Sequence, residues 1–411
     1  MVKIETFEVE QWLASHSAAA KYDLATSCAR PISIQELEEL SEDTSDTVFP
    51  PTLLSKGLEY GTFAGSEKLR STLAQLYSVK TPSPLPVENV LITPGSTLAN
   101  YLVFYTLCSS DDHVIVQYPT YQQLYTVPSS LGADVTLWKA KEQDKWSLDV
   151  DELKGLIKSN TKMIVLTNPQ NPTGAIIPRR TLEDIIQVAR EHSIYVFSDE
   201  VYRPLFHSIS PMDDDFPPSA MSLGYDKVIV TGSMSKSYSL PGIRVGWVAS
   251  RRRDLVDACL NYRSYTTISV SQLDDEVAAY ALNAKRIHRL LKHNVDLAKR
   301  NLEILDAFIE RHRWACEWVR PVAGSVAFVK FSKMGKAVDD MEFCKQLLNK
   351  KGVLLSPGCS CFGNHEDFKG YVRIGYVMKT EDMEAGLSAL AEFLDEDYEG
   401  IPLAPRTLPL R

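Results

Sequence analysis

At 411 residues, with 44% hydrophobic and 24% charged residues, the chain exceeds one ordinary domain and carries enough apolar material for a full core. A formal charge of −9 without a long basic run argues against a nucleic-acid binder, and no apolar run approaches the roughly 20 residues of a membrane span. Seven cysteines and eight histidines show no CxxC, HxxH or HExxH spacing, which argues against a metal site and, with no signal peptide, predicts a reduced, cytoplasmic protein.

The first 48 residues read as an N-terminal arm. It opens with an amphipathic stretch (Val9, Trp12, Leu13), continues through helical spacing at Ile34–Leu40, and is polar near Glu38–Asp46. Pro50-Pro51 breaks the chain. GSEKLRSTLAQLY, from Gly65 to Tyr77, predicts a helix with Leu69, Leu73 and Leu76 on one face. From Asn89 strands and helices alternate. NVLITPG ends in Gly95, and Ser96 and Thr97 open an apolar helix to Cys108. HVIVQYP, DVTLWKA, KMIVLTNP and IYVFSDE are further strands, and Leu182, Ile185, Ile186 and Ala189 mark a helix before the last. This alternation predicts a mostly parallel sheet covered on both faces, in one large α/β domain over 49–285.

A long helical region, Asp275 to His312, leads out of that domain. Strands VAFVKF, GVLLSPG and YVRIGYV, the helix MEFCKQLLNKKG and a last helix near Glu381–Leu394 predict a smaller α+β domain over 286–395, on which the arm packs. The proline-rich end, 396–411, reads as an exposed tail.

Ligands of open α/β sheets sit beyond the carboxyl ends of the strands, and the unusual polar residues fall there. Ser96 and Thr97 at a helix start form either an anion site or ordinary caps. Tyr121 follows a strand and serves either a planar ligand or the core. In NPQNPTG, Asn171 offers its amide from a rigid turn, and Asn171–Pro172 is a candidate cis bond. Asp199 ends an apolar run, so its carboxylate is expected to be buried and to require a cation. Tyr202 can face the same ligand, and an exposed acidic turn suits Glu200 better than Asp199. The stretch TGSMSKSYSLPGIRVGWV reads as strand, tight loop, strand. It sets Lys236 among small residues, with Ser233, Ser235 and Arg244 available for an anion. That arrangement suits an amine condensing with a carbonyl ligand held by its phosphate.

SDEVY, NPQNPTG, GSMSKSYSLPGIRVGW and YVRIGY, taken in order, resemble the class I/II aminotransferases. These are fold-type I enzymes that use pyridoxal 5′-phosphate (PLP). The resemblance implies that Lys236 is the Schiff-base lysine and proton-transfer base, and that Asp199 pairs with the pyridine nitrogen. Asn171 and Tyr202 would hydrogen-bond the ring oxygen, and Tyr121 would stack on the ring. Ser96, Thr97, Ser233 and Arg244 would hold the phosphate. Tyr60, in EYGTFAG, resembles the tyrosine that reaches the neighbouring subunit's phosphate, so a homodimer is implied. Arg373 would grip the substrate α-carboxylate. The implied activity is amino-group transfer between an amino acid and a 2-oxo acid.

The arm departs from the common pattern. Tyr22–Pro31 has no glycine and carries Arg30, which near a substrate would favour an acidic side chain. WLASHSAAAKYDL and SIQELEEL resemble capreomycidine synthase-like members, which eliminate from and cyclise a β-substituted amino acid, so an eliminase or cyclase is the alternative reaction. A PLP-binding regulator is the third reading. The acidic balance and the lack of a helix-turn-helix pattern count against it.

Overall fold

Successive strand residues point to opposite faces, so a strand buried on both sides must be apolar throughout. In the computed structural model, which describes residues 4–42, 45–79, 81 and 83–405, the central strands meet this condition. Ile115, Ile164 and Val196 enter one core, while Val114, Val116, Met163 and Val165 enter the core on the opposite face. The seven-stranded sheet runs Val90–Thr93, Gly246–Ser250, Val228–Ser233, Tyr195–Asp199, Thr161–Thr167, His113–Tyr118, Asp134–Lys139. Gly246–Ser250 is antiparallel to both its neighbours and the other pairings are parallel.

The Arg179–Glu191 helix buries Leu182, Ile185, Ile186 and Ala189, as its spacing predicts. The Glu67–Ser78 helix differs from expectation at one position. Leu69, Leu73 and Tyr77 are buried, but Leu76 is 39% exposed because it lies beside the packed stripe. The long region from Asp275 is two helices, Gln272–Ala281 and Ile287–Arg311. Asn283 breaks it, its side chain accepting from the Lys285 amide at 3.0 Å. The second helix joins both halves: Leu290 packs under the large sheet, while Leu297, Leu302 and Leu305 belong to the second core.

That second core underlies an antiparallel sheet in which Val326–Lys333 lies between Tyr371–Gly375 and Cys316–Trp318. The arm is divided between the two halves. Its Glu8–His16 helix buries Val9 and Trp12 in the second core, and Tyr22–Asp23 pairs in parallel with Val353–Leu354. Leu37 and Val48 pack under the large sheet. The Ile34–Glu39 helix starts on a capping box of Ser33 and Glu36. Asp43 and Thr44, in the polar stretch, lie outside the described residues.

The end of the chain is not free over its described part. Ile401 is buried, and Leu403 bridges to Val338 because the Ala404 amide donates to the Ala337 carbonyl. Residues 406–411 lie outside the described residues. No described helix is long and apolar enough to cross a membrane.

Candidate active site

Thr167, Asp199 and Thr231 are in register on adjacent strands, which sets Asp199 at the carboxyl edge of the sheet. Its side chain is buried. Oδ2 accepts from Asn100 Nδ2 at 2.9 Å, and Oδ1 accepts from the Val201 amide at 3.0 Å. Thr231 Oγ1 fixes Asn100 by donating to its Oδ1 at 2.7 Å. Burial raises the Asp199 carboxyl to about 6, against the opposing pull of Asn100, the Val201 amide and the Lys236 charge. Two neutral donors leave this carboxylate short of a cation.

The Val228–Ser233 strand turns into a loop that carries Lys236 inward. Its Nζ donates to Ser27 Oγ at 2.7 Å and lies 3.8 Å from Cys28 Sγ. Burial opposes the ammonium charge, but the neighbouring Cys28, Tyr202 and Glu10 outweigh burial and Arg373, so the net direction is upward.

The Gly95–Leu107 helix begins with no side-chain cap and no acidic residue in its first turn, leaving free N–H groups at an electropositive end. Arg244 reaches this end, its Nη1 donating to Ser235 Oγ at 3.2 Å and to the Pro241 carbonyl at 2.8 Å. Gly95 permits the approach: a methyl there would lie 2.4 Å from Arg244 Nη2, and its φ is +80°.

Arg373 sits on Tyr371–Gly375, opposite Phe328 and Ser356. It is 2% exposed. Nη1 donates to Asn171 Oδ1 at 3.2 Å, and Nη2 to the Ala25 carbonyl at 2.8 Å and Ser356 Oγ at 3.5 Å. Among the described residues no carboxylate pairs with it, and its Nε has no partner.

These groups face one cavity of about 510 Å³, whose wall includes Ser96, Thr97, Tyr121, Asn171, Asp199, Tyr202, Lys236, Arg244 and Arg373. The Asn171–Pro172 bond is cis, as expected. Three residues singled out from the sequence lie elsewhere. Ser233 is buried behind the loop, its Oγ donating to the Val245 carbonyl at 3.1 Å, and Ser235 takes the place on the wall. Arg30 turns away to Glu36 at 2.6 Å. The Ser33 amide and then Arg30 hold Glu36 down at about 2. Tyr60 is 79% exposed on the surface of the chain. Glu200 is a further correction. It is buried rather than exposed, because Ser219 Oγ and the Ala220 amide both donate to its Oε1 at 2.9 Å and Arg203 lies beside it.

Sequence reasoning missed Asn100, Ser27, Cys28 and Glu10. Asn100 carried one signal, an amide inside an apolar helix. The arm residues carried none. Glu10 accepts from the Tyr121 hydroxyl at 2.7 Å.

Residues 52–390 match the family model for aminotransferase class I and II. The chain belongs to that family. It is an enzyme with the fold-type I architecture, of a family whose members use PLP. It is 29% identical over 393 residues to capreomycidine synthase of Streptomyces vinaceus, covering 95% of this chain and 94% of that one. It is 27% identical over 349 residues to an aspartate aminotransferase of Thermotoga maritima, covering 83% and 85%. A solved PLP-dependent aminotransferase from Streptococcus suis superposes with a TM-score of 0.85 at 40% identity, covering 96% of this chain and 98% of that one. The PLP-dependent cyclase OrfR superposes with a TM-score of 0.83 at 26% identity, covering 95% and 97%.

Proposed function

We propose that this enzyme is a PLP-dependent aminotransferase that moves an amino group between an α-amino acid and a 2-oxo acid at Lys236. The observation that carries the reading is Arg373, a buried guanidinium with no carboxylate partner among the described residues, on the same wall as Lys236. A buried cation requires an anion, and an α-carboxylate provides one through a bidentate pair.

The residues present fit the cofactor. No cation among the described residues pairs directly with Asp199, and a pyridinium nitrogen would supply one. The uncapped helix start with Ser96 and Thr97, joined by Ser235 and Arg244, fits a phosphate. Ser233 acts on that phosphate through Ser235, whose Oγ it reaches at 2.8 Å. Asn171 and Tyr202 would bind the ring oxygen, and Tyr121 the ring face. When bound, PLP supplies an electron sink for cleavage at the substrate Cα. Lys236 Nζ, the only lysine amine on the wall among the described residues, would hold the cofactor and move the Cα proton. Ser27 Oγ would orient that amine, and Arg373 would align the substrate.

A panel of amino acids tests this reading. Transfer gives one oxo acid from the donor for each acceptor aminated, and release of ammonia as the main product would overturn it. Elimination with cyclisation is a second reading, favoured by the arm. Thr26, Ser27 and Cys28 stand on the cavity wall, and the likeness to capreomycidine synthase extends over 95% of the chain. It predicts loss of a β-substituent and a cyclised product.

We further propose a homodimer. Leu54, Leu58, Tyr60 and Phe63 are all exposed in the single chain and would be covered by a second copy whose phosphate Tyr60 reaches. The division at 49–285 and 286–395 is proposed for the two domains. A cytoplasmic location accords with seven free cysteines, and a biosynthetic role in amino-acid metabolism is proposed from the family alone.

A further inference from the structure

A buried carboxylate stays ionised only where donors or cations hold its charge. Among the described residues Asp199 has two donors, the Val201 amide two residues along the chain and the side chain of Asn100, 99 residues away. Asn100 stands in the Gly95–Leu107 helix, 1% exposed and at the edge of the cavity. Both hydrogens of its amide are spent, one on Asp199 Oδ2 at 2.9 Å and one on Gln123 Oε1 at 3.2 Å, and its Oδ1 accepts from Thr231 Oγ1 at 2.7 Å. Gln123 Nε2 in turn donates to the Thr97 carbonyl at 2.7 Å.

The ends of this chain of bonds fix its direction. An ionised carboxylate and a peptide carbonyl can only accept, so the amide nitrogens of Asn100 and Gln123 must face Asp199 and Thr97, and the Thr231 hydroxyl must donate. Asp199 and Thr231 are register partners on adjacent strands, and Asn100 bonds to both from the neighbouring helix. Asn100, Gln123 and Thr231 are buried, so water competes little for these bonds. The network joins the two places where the cavity fits the cofactor, Asp199 at the ring nitrogen and the helix start at the phosphate.

We propose that Asn100 is a positioning residue for the cofactor, which keeps Asp199 charged and aimed at the ring nitrogen and ties it through Gln123 to the phosphate end. The proposal rests on reading the cavity as a PLP site. One proton is contested there by two groups, the Asp199 carboxylate and the ring nitrogen. The Asn100 donor favours the Asp199 anion, so Asp199 leaves the proton on nitrogen and supports the positive charge that draws electrons from the substrate Cα. Burial pushes Asp199 up to about 6 even with Asn100 in place. Without Asn100 the carboxylate takes the proton and faces a neutral ring, which draws electrons less strongly.

The test compares Asn100→Asp and Asn100→Leu with wild type, each loaded with PLP. A carboxylic acid reproduces the amide only while protonated, its O–H donating to Asp199 and its C=O accepting from Thr231. Once ionised it sets a second anion against Asp199. Leucine does neither at any pH. Lys236 across the cavity and Glu200 next along the chain are the charged groups coupled to Asp199, and they are the same in all three proteins. Two quantities are read relative to wild type at the same pH: the rate of PLP release, followed by visible absorbance, and the split between kcat and KM for one amino acid that wild type turns over. Asn100→Leu should release PLP roughly tenfold faster and lose roughly tenfold in kcat at every pH, with KM held because Arg373 is untouched. Asn100→Asp should lie within about threefold of wild type near about pH 6 and fall to the level of Asn100→Leu near about pH 9. A side chain that only fills the helix would give Asn100→Asp one deficit at both pH values. That result would overturn the proposal, as would wild-type PLP release and kcat in Asn100→Leu. If Asn100→Leu does not fold, the two pH values of Asn100→Asp decide alone. Failure of wild type to bind PLP would instead overturn the reading of the cavity, and the proposal with it.

Discussion

Asp199→Asn separates what the fold needs from what the chemistry needs. Asp199 ionises at about 6 in the folded chain, against an ordinary 3.8, because burial disfavours its charge. The sign follows: the folded chain holds the proton more tightly, so the stability it contributes is full below about pH 4 and is lost as pH rises through about 6. Once both states are ionised, the buried charge costs the folded state about 3 kcal/mol. An amide carries no such cost. It keeps an acceptor for the Val201 amide, but its own N–H₂ opposes Asn100 Nδ2, and that lost hydrogen bond costs about 1–2 kcal/mol. The cofactor-free variant should therefore be about 1–2 kcal/mol more stable than wild type near about pH 8, and no more stable near about pH 4. Urea denaturation of both proteins at the two pH values measures this. Turnover of the PLP-loaded variant should nevertheless fall by roughly a hundredfold or more, because a neutral amide cannot stabilise a pyridinium charge. A variant less stable than wild type at the higher pH, with near-normal turnover, would refute the argument at both ends.

Other substitutions probe the remaining parts of the cavity. Borohydride reduction of the PLP-loaded protein should fix the cofactor on the peptide containing Lys236, and Lys236→Ala should abolish turnover; label on another lysine would remove its role. Arg373→Lys keeps the charge but loses the bidentate fork, so KM should rise by roughly tenfold or more for every amino acid while their ranking holds. Gly95→Ala places a methyl 2.4 Å from Arg244 Nη2 at a φ of +80°, so PLP should be lost on dialysis while the apoprotein still folds; full retention would argue against the phosphate assignment. Sedimentation should show a species of twice 46.1 kDa, and an active monomer would contradict the role of Tyr60.

The large sheet was legible because its strands carry a local signature, apolar on both faces and ending in polar or Gly-Pro turns. Asp199 was legible for the same reason, as a charge at the end of an almost wholly apolar run. What escaped depends on partners far along the chain. Glu200 looks like a surface acid until Ser219 and Ala220 return from a loop about twenty residues on to bind it. Asn100 acquires its meaning only when the fold places it against Asp199. Leu76 shows the limit of periodicity. The 3.6-residue repeat identifies a face, but the width of the stripe that is covered depends on the neighbour.

The arm shows most directly why charge cannot be assigned to a site from sequence alone. Arg30 was the basic residue nearest the expected substrate, and by itself it argued for an acidic side chain. Its backbone is indeed drawn inward, the amide donating to the Val377 carbonyl. The side chain meets Glu36, which the capping box at Ser33 has already oriented toward it. A cap required by a six-residue helix thus removes Arg30 from the specificity argument. On the other side of the cavity, Glu10 is brought forward by a helix whose sequence signal was only Val9, Trp12 and Leu13, of which Val9 and Trp12 are buried. Burying those two residues turns Glu10 toward Tyr121. The arm charge that lines the cavity is thus the carboxylate of Glu10 and not the guanidinium of Arg30. Arg30→Ala should accordingly shift kcat/KM for arginine, norleucine and glutamate by one common factor, and a selective loss with glutamate would restore the guanidinium to the cavity and refute its placement on Glu36.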